Sequence, residues 1–86
     1  MRSRSPATTV VFGRLSAGWY GDYHPSPRRQ FVLTLAGEAE IVVSDGQTRI
    51  MTPGAVWLLE DTKGKGHRTR VSDKGEWLIA LVWLAE

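Results

Sequence analysis

Two histidines, His24 and His67, and no cysteine set the chemistry open to this chain. An imidazole titrates near neutral pH, so a partly buried one can act as acid, base or hydrogen-bond donor. His67 follows the polar, glycine-bearing loop EDTKGKG (residues 60–66) and opens the segment HRTRVS (67–72). Alternation there sets His67, Thr69 and Val71 on one face and Arg68 and Arg70 on the other, which makes His67 the candidate catalytic group. The competing role for it is a histidine that only ties down its loop. Arg28 shares its facing with Gln30, so its planar guanidinium is available at a pocket mouth to a carboxylate or phosphate, while Arg29 points outward. Glu60 and Asp61 are adjacent and diverge in an extended chain, so they do not form a catalytic carboxylate pair; one of them is expected to pair with Lys63 or Lys65. The run KGKGH (63–67) lacks the spacing of a phosphate-binding loop and no helix follows it, which excludes nucleotide binding by that device.

The elements that must position these groups read as strands throughout. Residues 8–15, TTVVFGRL, are β-branched and apolar, with a bend expected at Gly13, and residues 1–7 are expected to be frayed. Residues 16–23, SAGWYGDY, suit a short strand whose rings cover one end of a core. In HPSPRR (24–29) two prolines in four residues hold an extended approach. The runs 55–59 and 77–84 are continuously apolar and 31–36 is apolar but for Thr34, and 31–36 and 77–84 read as strands buried on both faces. Trp77 and Trp83 share a face of the last one, read as core or dimer interface.

The clearest local signal is GEAEIVVSDGQTRIM (37–51). Asp45-Gly46 is the dipeptide of a two-residue hairpin, which predicts Val43 opposite Thr48, Val42 opposite Arg49 and Ile41 opposite Ile50. Ala39, Ile41, Val43, Thr48 and Ile50 then line one side, with Glu38, Glu40 and Arg49 on the other in reach of cross-strand pairing. Seven or eight short strands with tight turns and no helix signal imply an all-β sandwich or barrel.

The 86 residues are enough for one domain (1–86) with a thin core, and no second domain fits. Eleven Lys and Arg against nine Asp and Glu are spread without blocks, which describes a solvated surface. A basic stripe of Arg49, Arg68 and Arg70 would need neighbouring strands, and there is no recognition helix, so no nucleic-acid partner is expected. MRSRSPATT has no apolar run behind its basic residues and no segment has membrane-spanning length, so the expectation is a cytoplasmic protein with no membrane partner.

Order and spacing together resemble the cupins, small jelly-roll β-barrels with two motifs, G-x5-H-x-H-x3,4-E-x6-G and G-x5-P-x-G-x2-H-x3-N, joined by a hairpin. In the first motif His24 stands at the first histidine, Ser26 at the second, Gln30 at the glutamate and Gly37 at the closing glycine. In the second, Gly46 and Gly54 match, Thr52 holds the proline position with Pro53 one residue late, Trp57 stands at the histidine and Asp61 at the asparagine. The resemblance covers roughly residues 24–61 and implies an all-β, cupin-type jelly-roll barrel of seven to eight strands. The HP-PRRQ and EDT-GKGH-T stretches are similar to those of small single-domain cupins of unassigned function, which places His67 and Thr69 on the barrel wall.

Three of the four metal-ligand positions are changed, and an indole cannot ligate. The expectation is therefore a barrel that binds a small polar or anionic molecule without the usual catalytic metal. Gln30, Trp57, His67 and Thr69 would form its wall, with His24 and Arg28 at its mouth. The alternatives are a metal-dependent isomerase- or dioxygenase-like enzyme using His24, Gln30 and His67 around a divalent ion, or a structural or dimerisation module with a packed interior. A homodimer is expected, because the apolar strands exceed what so thin a core can bury.

Overall fold

The computed structural model describes residues 6–85, which form eight strands and no helix. They are β1 (Ala7–Leu15), β2 (Tyr20–His24), β3 (Gln30–Ala36), β4 (Ala39–Val43), β5 (Thr48–Met51), β6 (Val56–Leu59), β7 (His67–Val71) and β8 (Trp77–Leu84). Two four-stranded antiparallel sheets, ordered β1-β8-β3-β6 and β2-β7-β4-β5, face each other as a jelly-roll barrel. No helix is available to cross a membrane among these residues.

The period-2 alternation of each strand delivers one set of side chains to the space between the sheets. β4 supplies Ala39 and Ile41, β7 supplies Val71, and β8 supplies Trp77 and Ile79 to one buried cluster completed by Val32, Met51, Trp57 and Leu59. Trp77 brings a polar N–H into this core, and Nε1 donates to Thr34 Oγ1 at 3.1 Å, so a buried donor and a buried hydroxyl satisfy each other. That bond spans β8 and β3 and fixes the depth of the indole.

The hairpin departs from the expected register by one residue. Val42 faces Thr48, Ile41 faces Arg49, Glu40 faces Ile50 and Ala39 faces Met51. The loop has three residues: Gly46 N–H donates to Val43 O at 2.9 Å, Val43 N–H donates to Gln47 O at 3.0 Å, and Asp45 Oδ1 accepts from Gln47 N–H at 2.9 Å. Gly46 takes the left-handed conformation, φ 91°, that closes such a loop. Because a one-residue slip exchanges faces, Met51 enters the core while Ile50 is 52% exposed. Arg49 moves to the phase of Ile41, away from Glu38 and Glu40, and Glu40 instead sits opposite Arg70. The same slip removes Arg49 from the face of Arg68 and Arg70, so the basic stripe does not form.

Two further expectations change. Ala7 is paired with Leu84 and Pro6 O accepts from Ala85 N–H at 3.0 Å, so β1 starts earlier than the frayed end allowed; residues 1–5 lie outside the described residues. The register irregularity of β1 falls between Ala7 and Thr9, while Gly13 stays in register because its missing Cβ leaves room for Ile79. The runs 31–36 and 77–84 bury only one face fully. Across the sheet they form, the outward side is also apolar and largely open, with Leu35 48% exposed on β3 and Phe12 75% exposed on β1.

Candidate functional site

The interior is not filled. A cavity of about 160 Å³ opens between the sheets near the ends of β2, β3 and β7, the share of roughly five waters at ~30 Å³ each. Its wall is mostly apolar, with Val32, Trp57, Leu59 and Trp77 among its members, and its polar groups come from His24, Ser26, Gln30, His67 and Thr69. Mostly apolar walls with a few convergent polar groups are the usual character of a small-molecule site.

Each polar group is held by local structure. His67 opens β7 and faces inward with Thr69; both are buried. Its Nδ1 lies 2.8 Å from Asp61 Oδ2. A carboxylate only accepts, so Nδ1 carries the hydrogen and, in the neutral ring, Nε2 is the basic nitrogen. Asp61 sits at the other end of the loop 60–66, and its carbonyl accepts from Ser26 N–H at 2.9 Å, which ties that loop to the approach before β3. Gly66 closes the tie: its φ is 77°, and a Cβ there would run into the His24 carbonyl. Gly66 is thus explained by loop packing.

Gln30 has a defined orientation as well. Ser26 Oγ donates to the Arg28 carbonyl at 2.6 Å, and the single hydroxyl hydrogen being used, Oγ accepts from Gln30 Nε2 at 3.1 Å. The amide oxygen, Oε1, is consequently the free end, and it is buried with no hydrogen-bond partner. An unpaired acceptor in a low-dielectric wall costs about 1–3 kcal/mol, so its presence is a specific feature of this cavity.

His24 and His67 are neighbours with ring centroids 4.8 Å apart, and His24 Nδ1 donates to the Asp22 carbonyl at 2.9 Å. Trp57 packs edge-on to His67 at 4.9 Å between centroids, 85° between planes. Arg28 does not line the cavity. Its guanidinium lies 3.9 Å above the ring of Trp83, the residue opposite Gln30 on β8. Arg29 points outward and bridges Glu60 at 3.0 Å. The expected pairing of Glu60 or Asp61 with Lys63 or Lys65 is replaced by Arg29–Glu60 and His67–Asp61, and Lys65 lies over the Tyr23 ring at 4.0 Å. Glu60 and Lys65 find partners from distant parts of the chain, Arg29 and Tyr23, while Asp61 pairs across its own loop with His67.

Sequence reasoning missed Asp61 and Ser26 as members of the site. Both stand at motif positions, as the counterparts of asparagine and histidine, and a carboxylate six residues before a histidine across a glycine-bearing loop was a usable signal. Trp19, which lines the same cavity at its outer end, was read only as a cover for the core.

This architecture, two facing antiparallel sheets with a polar-tipped cavity between them, is the cupin barrel, and the chain has the fold of the cupin superfamily. No family model matches the sequence, and no curated protein matches it. Among solved structures it is similar to a cupin 2 conserved barrel domain protein from Salinispora arenicola, with TM-score 0.68 and 19% identity over 88% of this chain and 61% of that one. It is similar to the polyketide cyclase RemF from Streptomyces resistomycificus, with TM-score 0.73 and 17% identity over 95% of this chain and 57% of that one. It is also similar to the DMSP lyase DddQ from Ruegeria pomeroyi, with TM-score 0.72 and 25% identity over 95% of this chain and 40% of that one. The chain therefore spans between 40% and 61% of these three proteins.

A divalent metal of the kind the cupin motifs imply does not fit the donors present. Among the described residues no three His, Cys, Asp or Glu side chains converge. The imidazoles of His24 and His67 are adjacent, but the remaining motif positions offer a hydroxyl already bonded twice, a neutral amide and an indole. Trp57, which has no lone pair to offer a metal, packs edge-on against His67.

Proposed function

We propose that the barrel binds a small polar molecule that presents hydrogen-bond donors, held between Gln30 Oε1 and His67 Nε2, with His67 as its base and Asp61 as the residue that orients it. The observation that carries this reading is the unpartnered, buried Gln30 Oε1. Its orientation is dictated by the Ser26–Arg28 bond, so a ligand donor is what relieves it. The second polar contact has the same sense: with Asp61 on Nδ1, neutral His67 offers an acceptor. A hydroxyl, amide N–H or amine suits both groups. A carboxylate or phosphate suits neither, and the cation expected to attract one, Arg28, stacks on Trp83 instead. The anionic ligand is therefore the weaker reading.

Named activities on this fold include a cyclase, a lyase and a sugar phosphate isomerase, which differ in chemistry; they support a barrel that hosts small molecules and leave the choice of ligand to the wall. The size of the cavity restricts the ligand to a handful of non-hydrogen atoms inside the barrel, with any remainder leaving past Trp19 and Pro27.

The test is a fragment titration followed by two-dimensional NMR, using small polyols and amino alcohols against carboxylates of equal size. Polyols or amino alcohols are expected to shift the Gln30 side-chain amide and the His67 ring signals, and Gln30→Leu is expected to abolish the shifts. Binding of carboxylates alone would overturn the reading. So would zinc, iron, manganese or nickel retained at one equivalent per chain through dialysis.

A further inference from the structure

The polar groups on the cavity wall lean one way. His67 Nδ1 is taken by Asp61 and His24 Nδ1 by the Asp22 carbonyl, so in the neutral rings both Nε2 atoms are acceptors. Gln30 Nε2 is taken by Ser26, which makes the buried Oε1 a third acceptor. The donors left on the wall are neutral: the Thr69 hydroxyl, which turns either way, and the indole N–H groups of Trp19 and Trp57, that of Trp77 being engaged by Thr34. Among the described residues no lysine or arginine lines the cavity. The charge behind the wall is unbalanced as well. Asp61 has His67 as its only ion-pair partner among the described residues, and its Oδ1 is buried without a hydrogen bond. Arg29 bridges Glu60, Arg28 lies over Trp83 and Lys65 over Tyr23, so none of these three neutralises it. A carboxylate behind a neutral imidazole gives the cavity a negative field.

We infer that the cavity takes a small primary ammonium ion, a protonated amine carried on a short apolar tail; this rests on the donor-bearing ligand proposed above and narrows it to a cation. An ammonium group brings three N–H donors and one positive charge. The wall offers three acceptors fixed by their other bonds, Gln30 Oε1, His67 Nε2 and His24 Nε2, and an uncompensated carboxylate one hydrogen bond behind the second. A neutral hydroxyl brings a single donor and gains nothing from the field, while an anion meets the field with the wrong sign. Hydrogen bonds from a charged donor are about twice as strong as neutral ones, so the same three acceptors favour the cation. Trp19, Trp57 and Trp77 line the same space, and indole is the ring that attracts a cation best. With room for roughly five waters, the cavity admits an ammonium on a tail of about two carbons against its apolar wall.

Two residues of this arrangement act without being acceptors themselves. Asp61 is a positioning residue: by accepting from His67 Nδ1 it polarises the ring and strengthens Nε2 as an acceptor. Gly21 makes room for Trp19. It stands opposite the inward-facing Thr69 on β7, and a Cβ there would run into the Trp19 ring, so the indole lies against the bare backbone of β2 at the outer end of the cavity.

The test is an NMR titration of the full chain at constant ionic strength and about pH 8, where a free imidazole is neutral and an alkylamine charged. The probes are ethylammonium chloride, ethylene glycol, tetramethylammonium chloride and sodium acetate. Ethylammonium is expected to shift the His67 ring and Gln30 side-chain signals and to bind at least about tenfold more tightly than ethylene glycol or the donor-free tetramethylammonium. Asp61→Asn keeps the shape and removes the charge, and is expected to cut the advantage over ethylene glycol to about threefold or less. Trp19→Leu, at a position 40% exposed and therefore tolerant, is expected to weaken ethylammonium about two- to fivefold and ethylene glycol by less. Circular dichroism checks that both variants fold, and Trp19→Leu carries the comparison if Asp61→Asn does not. Equal binding of ethylammonium and ethylene glycol overturns this inference and leaves the donor-bearing ligand standing. Acetate binding best, or no probe binding, overturns both. Tetramethylammonium binding as tightly as ethylammonium, or an advantage untouched by either variant, overturns the assignment of the ammonium to these acceptors.

Discussion

Replacing Asp61 and His67 singly and together measures whether the carboxylate holds the imidazole. The His67 side chain is 6% exposed and that of Asp61 28% exposed, at 2.8 Å, so the pair is only partly screened by water. Asp61→Ala strands the buried Nδ1–H, which costs about 1.5–3 kcal/mol for a hydrogen bond to a charged group. His67→Phe keeps the ring volume and strands the carboxylate, whose other oxygen, Oδ1, is already buried without a partner. Partial exposure of Asp61 lowers that cost to about 1–2 kcal/mol. Removing both partners leaves nothing unpaired between them, so the double variant is expected to fall short of the sum by about 1–2 kcal/mol. For a domain of this length total stability is on the order of 4–13 kcal/mol, so each variant stays foldable and the coupling is readable. Urea unfolding is the assay, at one fixed protein concentration so that the variants are compared under equal conditions. Costs that add to within about 0.5 kcal/mol would show that Asp61 does not orient His67, and the assignment of Nε2 as base would fall with it.

Gln30→Leu removes the unpaired oxygen along with the bond to Ser26, so ligand-free stability is expected to hold or rise by about 1 kcal/mol while binding is lost; a marked loss of stability would mean Oε1 has a partner. Thr34→Val keeps the shape but orphans Trp77 Nε1–H, and a loss of about 1–3 kcal/mol, or about 4–8 °C of melting temperature per kcal/mol, is expected by calorimetry. Gly66→Ala meets the His24 carbonyl at positive φ, and is expected to cost more than the ~1 kcal/mol of an ordinary left-handed glycine and to perturb the His24 and His67 ring signals together.

Much of the barrel was legible. Alternation in 67–72 assigned the inward set of β7, and turn residues separated the strands, because side-chain period and turn chemistry are local properties. The hairpin shows where local reading stops. Asp45-Gly46 marks a turn, but a two-residue and a three-residue loop both accept it, and the choice flips Ile50 and Met51. That choice rests on which register lets Met51 fill the core and Glu40 meet Arg70, a property of the closed barrel.

The candidate site divides the same way. Set against the motif positions, an indole at 57 and an amide at 30 weakened the metal reading and left His24, Gln30 and His67 as its reduced set. Two of the partnerships were beyond reach: Arg29 finds Glu60 and Arg28 finds Trp83 only when strands distant in sequence close around one cavity, whereas Asp61 and His67 lie six residues apart across one loop. What the sequence by itself determined is therefore the all-β alternation and the residue types available to the site, both properties of single residues and their neighbours. Tertiary structure alone decided that Gln30 Oε1 and Asp61 Oδ1 are left unpaired and which apolar face is left open, because these are remainders after the other groups have been matched across the barrel.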